Sequence, residues 1–271
     1  MIRQLEIVQV GPGTLVKIRV MASNFSEELP SKAQDVSAIE LARLALTLWE
    51  SFPTGEPRPI VLLDDPVLAS QGFKNSAAKQ ALRYGMVAGE SIAEEPLQTI
   101  RMFASHRTNE SLPKNPLWIE NATLMETKFF TDRGPVLLPA WNVEAIDSIG
   151  PIWVLEAQTV ARCWLRHLAP AGHQQGPHIL QSARIHDDDY GLDVEFTGNS
   201  EDLFRYESAV VESSAAVSVV PLGRITKSLP PGSAITAQGF RRVISVRLKR
   251  PLDGRVLVNH DGSPVQVMGD I

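Results

Sequence analysis

The strongest constraint on this chain lies in its last third, where short runs of alternating apolar and polar residues recur between turn-forming residues. Seven such runs, at 178–186, 191–197, 205–212, 215–221, 240–248, 254–259 and 264–268, fit into about 90 residues. Alternation with a period of two turns one face of a strand to a core and the other to water. Many short strands at this spacing predict a sandwich-like or strongly bent antiparallel sheet. Upstream, 97–104, 118–130, 136–145 and 152–157 read as further strands, with Thr131-Asp132-Arg133-Gly134 as a turn. Residues 158–180 are ambiguous: Val160, Cys163, Trp164 and Leu168 have helical spacing, but Pro170, Gly172, Gly176 and Pro177 make the rest of the segment a loop.

The first third reads differently. Gly11-Pro12-Gly13 separates apolar runs at 2–10 and 14–22, a hairpin signal. Asp35 stands where an N-cap belongs, before an amphipathic helix over 36–51 that packs on the hairpin. Ile60-Val61-Leu62-Leu63 reads as a short buried strand, and the alanine-rich stretch 75–90 as a helix weakened by Gly85 and Gly89. The expected class is therefore α+β: a hairpin-plus-helices layer over 1–95, then a predominantly antiparallel, sandwich-like β domain over 96–271.

Length and charge narrow the function classes. With 271 residues and 44% hydrophobic content, the chain can bury a full core without a disulfide or metal staple. Its single cysteine, Cys163, forms no intramolecular disulfide and fits a reducing compartment. A formal net charge of −5 argues against general nucleic-acid binding. No run is long and apolar enough for a membrane span, and the N-terminus lacks a secretory h-region. The expectation is a cytoplasmic protein with no membrane contact.

One segment carries a likeness. The turn and strand Thr131-Asp132-Arg133-Gly134-Pro135-Val136-Leu137-Leu138-Pro139-Ala140-Trp141 resembles a pattern in actinobacterial proteins of unknown function, many of them secreted or lipid-anchored. So do the run from Tyr206 to Ser213, the run from Gly239 through Arg250-Pro251-Leu252 to Val258, and Gly262-Ser263-Pro264-Val265. The resemblance covers about 118–271 and implies a β domain without an assigned site. Those proteins carry a lipidation cysteine and a cysteine pair in the β domain; this chain has neither, which fits a cytoplasmic variant.

The densest candidate chemistry is His167, His173, His178 and His186, followed by Asp187, Asp188, Asp189 and Asp193. Histidine and carboxylate are common ligands of divalent metals, so His178, His186, Asp187 and Asp189 form a candidate metal site. On one strand His178 and His186 would share a face but stand ~26 Å apart at ~3.3 Å per residue, too far for one ion unless the strand bends. The competing reading of 187–191 is a solvated hairpin turn, and the acidic spacing lacks the glycine and glutamate of an EF-hand.

Elsewhere, Ser76-Ala77-Ala78-Lys79 fits S-x-x-K without its partner motifs and reads as a helix start. Cys163 has Arg162 and Arg166 beside it and His167 four residues on, yet sits in an apolar stripe and reads as core. Gly11-Pro12-Gly13 lacks the lysine and opening helix of a phosphate loop. The arginines at 241, 242, 247, 250 and 255, with Lys249, stand out in an acidic chain. Alternation places Arg241, Ser245, Arg247 and Lys249 on one face with Val243 opposite, so Arg241, Arg247, Lys249 and Arg250 form a candidate partner-binding patch. Pro139 marks an edge or bulge beside Trp141, which reads as a core cap with a partnered indole N–H, or as a ligand-stacking ring.

No catalytic constellation converges in the sequence. The leading expectation is a non-catalytic binding or assembly protein with another protein as partner, a homo-oligomer being compatible, and with no cofactor. The second is a metal-assisted hydrolase or small-ligand enzyme built on 167–193, with a divalent metal.

Overall fold

The computed structural model describes residues 7–8, 17–18, 31–90, 92–104, 113–165, 179–226 and 239–269. Within them the chain is α+β, mostly strand, with four helices and several mixed sheets. No described helix is long and apolar enough to cross a membrane.

In the first third, β1 (Ile7–Val8) and β2 (Lys17–Ile18) pair antiparallel on either side of Gly11-Pro12-Gly13. Helix α1 (Ser31–Thr47) begins before Asp35, so Asp35 lies inside the helix and does not cap it. Strands β3 (Ile60–Leu62) and β4 (Val67–Ala69) come next. Helix α2 (Ser76–Arg83) is capped by Asn75, whose Oδ1 accepts the Ala78 N–H at 2.8 Å. It stops well short of residue 90. Gly85, at φ +65°, lets its own N–H reach Leu82 O and the Met86 N–H reach Ala81 O, closing a Schellman motif. The chain then enters β5 (Val87–Ala88).

The strand expected at 97–104 is a helix, α3 (Glu94–Met102). Pro96 sits in its first turn, where a missing N–H costs nothing, and Glu94 and Glu95 face the positive helix end. The buried positions are Pro96, Leu97, Thr99 and Ile100, two pairs three residues apart, which is helical periodicity. Strands β6 (Leu117–Thr131) and β7 (Gly134–Ala145) form a long hairpin joined by Asp132-Arg133, with Gly134 at φ +98°. Beyond it, β8 (Ile152–Leu155), the one-turn α4 (Ala157–Val160) and β9 (Cys163–Leu165) complete a sheet ordered β4-β8-β7-β6-β3-β9. The helical spacing around Cys163 and Trp164 is thus carried by a strand, paired parallel to β3. These pairings run across residue 95: β3, β4 and β5 bond to β6, β8 and β9.

The hairpin is covered on opposite faces at its two ends. Leu117, Ile119, Val143 and Ala145 lie under Ala78 and Ala81 of α2 and Leu97 and Ile100 of α3. Phe129, Leu138 and Ala140 pack from the other face against Leu62, Leu155 and Cys163.

In the last third, the strands β10 (Leu180–Ile185), β11 (Gly191–Gly198), β14 (Phe240–Arg247) and β16 (Gln266–Met268) form one sheet, ordered β14-β11-β10-β16. Strands β12 (Phe204–Glu212), β13 (Ala216–Ile225) and β15 (Val256–Val258) form another. Both contain a parallel pair, β10–β16 and β13–β15, so neither is purely antiparallel. The sheets share a core of Leu192, Val194, Phe196, Val217, Val219, Val246 and Leu257. Helix α1 covers the far side of β12 and β13, with Ala42 against Val220 and Leu222. Most of its described contacts are with that sheet, where the sequence pointed to the hairpin.

Candidate functional site

The acidic segment after β10 folds as a turn. The Asp188 carboxylate accepts the Tyr190 and Gly191 N–H groups at 3.0 and 2.9 Å, and Asp189 adopts φ +57°. The Gly191 N–H, the Arg247 guanidinium and the Tyr190 N–H hold the Asp188 carboxyl below the usual aspartate range. His186 Nε2 lies 3.2 Å from Asp193 Oδ1, and Ser245 donates to the same carboxylate at 2.6 Å, the main reason its pKa is also depressed. Asp187 and Asp189 join neither contact. Among the described residues no three histidine, cysteine, aspartate or glutamate side chains converge on a metal-sized point. His167, His173 and His178 lie outside the described residues.

The basic run divides into three parts. On β14, Arg241, Val243, Ser245 and Arg247 all face outward and Val243 is 57% exposed, which corrects its expected place on the opposite face. Odd positions share one side of a strand, and Lys249 lies past its end. Arg241 bonds Glu195 and Arg247 bonds Asp188, each at 2.7 Å, so this face carries its own counter-charges. Arg250 donates to Ser213 O. Arg255 is buried rather than part of the surface. It meets Glu212 Oε2 at 2.8 Å and donates to the carbonyls of Pro251 and Arg250.

A second buried ionic contact, invisible from spacing, joins Arg58 to Asp132, with Arg58 Nε donating to Gly254 O at 2.8 Å. Arg133 reaches the carbonyls of Asp253 and Arg255; burial, then the neighbouring Arg58, lowers its pKa. Beside this junction a shallow cleft of about 230 Å³ is lined by Thr54, Ser214, Arg250, Pro251, Asp253, Gly254 and Arg255. Its buried cation, Arg255, is turned to Glu212 and three carbonyl contacts, and its rim cation, Arg250, bonds Ser213 O.

Trp141 is half-buried at the rim of the core under α2 and α3. Its indole N–H is buried without a partner, contrary to the expectation for a core-capping tryptophan. Pro139 lies on neither an edge nor a bulge: β7 is flanked by β6 and β8, and the bulge is on β6, between Ile119 and Asn121. The Pro139 carbonyl accepts from Glu156 N. A strand residue's N and O face the same side, so the missing N–H points past the β8 ladder and no bond to β6 is lost. Cys163 is half-buried, and burial pushes its thiol up to about 11.

An exposed apolar surface lies on the hairpin itself. Leu124 stands opposite Trp141, Glu126 opposite Pro139, Lys128 opposite Leu137 and Phe130 opposite Pro135, all on one face. There Leu124 is 48%, Phe130 47% and Leu137 61% exposed. The outer edge of β6 is blocked at both ends. β5 pairs with Leu117 and Trp118, while Phe130 gives its N–H to Asp64 and takes the Leu63 N–H on its carbonyl. Between them no described strand pairs with the edge from Ile119 to Phe129. Because Phe130 turns its N–H and C=O outward, alternation does the same for Lys128, Glu126, Leu124 and Ala122. Such an edge is a template for strand addition. The sequence showed these residues as strand; their exposure reflects how little of the hairpin α2 and α3 cover.

Compared with models of known protein families, with curated proteins and with solved structures, the chain matches none.

Proposed function

We propose that the chain is a non-catalytic binding or assembly protein of the cytoplasm whose partner is another protein, engaged through the exposed half of the β6–β7 hairpin. One observation carries this reading. Three large apolar side chains, Leu124, Phe130 and Leu137, lie about half or more in water beside a strand edge whose backbone groups have no described partner. Contiguous exposed apolar surface of this kind marks interaction sites, and an open edge adds directional hydrogen bonding. The two C-terminal sheets, packed through Phe196, Val217 and Leu257, serve in this reading as a sandwich-like support that presents no reacting group. The patch proposed at Arg241, Arg247, Lys249 and Arg250 ranks below the hairpin because Glu195 and Asp188 already neutralise two of its cations.

A photo-crosslinking amino acid at position 137, expressed in cells, tests the reading. Adducts with another polypeptide at position 137, and none with the probe at the exposed Lys79 position, support it. Equal labelling at both positions, or none at 137, overturns it.

A further inference from the structure

We infer that the partner of the β6 edge is an extended segment added antiparallel, with an acidic residue opposite Lys128, a basic one opposite Glu126 and an apolar one opposite Leu124. This rests on the reading just given and names the chemistry of its partner. The edge itself limits how long that segment can be. Gly89 lies against the Ile119 carbonyl, so close that a Cβ on it would stand 2.7 Å from that oxygen, and the β6 bulge follows between Ile119 and Asn121. At the other end Phe130 is taken by Leu63 and Asp64. The span without a described strand partner therefore runs from Asn121 to Phe129, room for about nine residues of added strand.

Two charges in this span have no counterpart within the described chain. Glu126 and Lys128 are exposed, and the residues opposite them on β7 are Pro139 and Leu137. Neither side chain has a polar partner among the described residues. Cations on the other sheets are treated differently: Arg241 meets Glu195, Arg224 meets Glu207 and Arg247 meets Asp188. On β6 the neighbouring strand supplies apolar atoms instead, so the position left for a counter-charge is the one across the free edge.

Leu124, Glu126 and Lys128 turn their N–H and C=O groups to that edge, so each exchanges both bonds with the residue directly opposite in an antiparallel partner. Opposite charges so placed attract and like charges repel. Read from its own N-terminus, the partner is acidic, basic and apolar at alternate positions. Its apolar residue extends the row that Trp141 and Leu124 begin on the same face. Charges on an edge guard it against unselected pairing. One of each sign, side by side, guards it selectively, because a strand with the reverse order meets two like-charge contacts. A second copy of β6 satisfies both charges only with Thr127 on the two-fold axis. That register sets Leu124 opposite Phe130, whose N–H and C=O are already taken.

Two synthetic peptides of about nine residues, the length of the free span, test this. One carries aspartate, lysine and leucine at alternate positions in that order, the other lysine, aspartate and leucine, with threonine between. Each is titrated into the isotope-labelled full chain at low ionic strength, where surface charge pairs are least screened, and amide shifts are followed by NMR. The first should bind about tenfold more tightly, since two attractive pairs become two repulsive ones in the second. It should shift the amides of Leu124, Glu126 and Lys128. Glu126→Lys combined with Lys128→Glu, both at exposed positions, should reverse the preference. N-methylation of the peptide lysine removes its N–H and keeps its charge, and should abolish binding. Equal affinity for the two orders, or a preference that the double variant does not reverse, overturns the inference. Binding indifferent to N-methylation overturns strand addition, and self-association that leaves both peptides unbound assigns the edge to a second copy instead. Adducts at position 137 without discrimination between the peptides overturn the charge-ordered segment and leave the binding reading standing. Neither adduct nor peptide binding overturns both.

Discussion

Replacing Glu212 by glutamine should destabilise the fold by about 3 kcal/mol, and the geometry around Arg255 says why. Glu212 accepts the Lys249 N–H with Oε1 and the Arg255 guanidinium with Oε2, both at 2.8 Å, in a pair less than 10% exposed on either side. Glutamine has one acceptor oxygen. Whichever way its amide turns, an NH₂ faces either the Lys249 N–H or the Arg255 N–H, and the guanidinium keeps its charge without a counter-ion. Breaking a buried pair from one side costs about 3–5 kcal/mol. The lower end applies because Arg255 retains the Pro251 and Arg250 carbonyls. With an unfolding entropy near 2.1 cal/mol/K per residue, 271 residues give roughly 0.57 kcal/mol/K, so the midpoint should fall by about 5 °C. Thermal and urea unfolding followed by tryptophan fluorescence measures it. Burial acts to raise the Glu212 pKa, but the Lys249 N–H and Arg255 hold it below the usual glutamate range. A depressed folded pKa stabilises above the unfolded value of about 4.3, and that contribution is lost as pH falls through the folded one. Wild type should therefore converge on Glu212→Gln in acid. A shift under ~1 °C at neutral pH, or a gap between the two that does not narrow at all as pH falls below the ordinary glutamate range, would refute a desolvated pair.

Two further outcomes rest on ionisation. With its thiol near 11, Cys163 should react with iodoacetamide at about pH 8 roughly 100-fold more slowly than a free cysteine; a rate within about tenfold of free cysteine would remove it from the core beside Leu62 and Phe129. In carboxyl NMR titrations, Asp188 and Asp193 should titrate below the ordinary value of about 3.9, their stabilising effect present above it and lost as pH falls through the folded values. Ser245→Ala should return Asp193, and Arg247→Ala Asp188, toward that value, and unchanged titrations would show that these hydrogen bonds do not form in solution.

What is legible in the sequence is local. The strands after residue 178, the hairpin turn at Asp132-Arg133 and the turn after His186 all arise from alternation and turn chemistry within a few residues. The strand reading at 97–104 fails because Pro96 looks like a breaker, when a first-turn proline is compatible with a helix. The parallel pairings β3–β9, β10–β16 and β13–β15 are not legible, since each joins segments separated by a third strand or more and leaves no periodic trace. Site chemistry escapes for a related reason. Arg255 reads as one more surface cation until Glu212, 43 residues away, is brought beside it. Leu124 and Leu137 look like ordinary strand residues, because a local pattern records which face a side chain takes and not whether anything covers that face.

The same non-local contacts explain how a sheet covered on opposite faces at its two ends is held against the rest of the chain. Its apolar burial is split between two small cores, so neither end alone fixes its position. Polar bonds to the turn at Asp132 do so instead: Arg58 binds the Asp132 carboxylate and Gly254 O, Val267 N donates to Asp132 O at 2.7 Å, and Arg133 bridges to the carbonyls at 253 and 255. A buried carboxylate and guanidinium are costly until all of these partners are present, so the hairpin turn and the 253–267 segment have reason to order together. On the hairpin face that carries them, Leu124 and Leu137 stay about half or more exposed. The strand pair is thus anchored by charge at its turn, while the face that carries Leu124 and Leu137 is left without described cover.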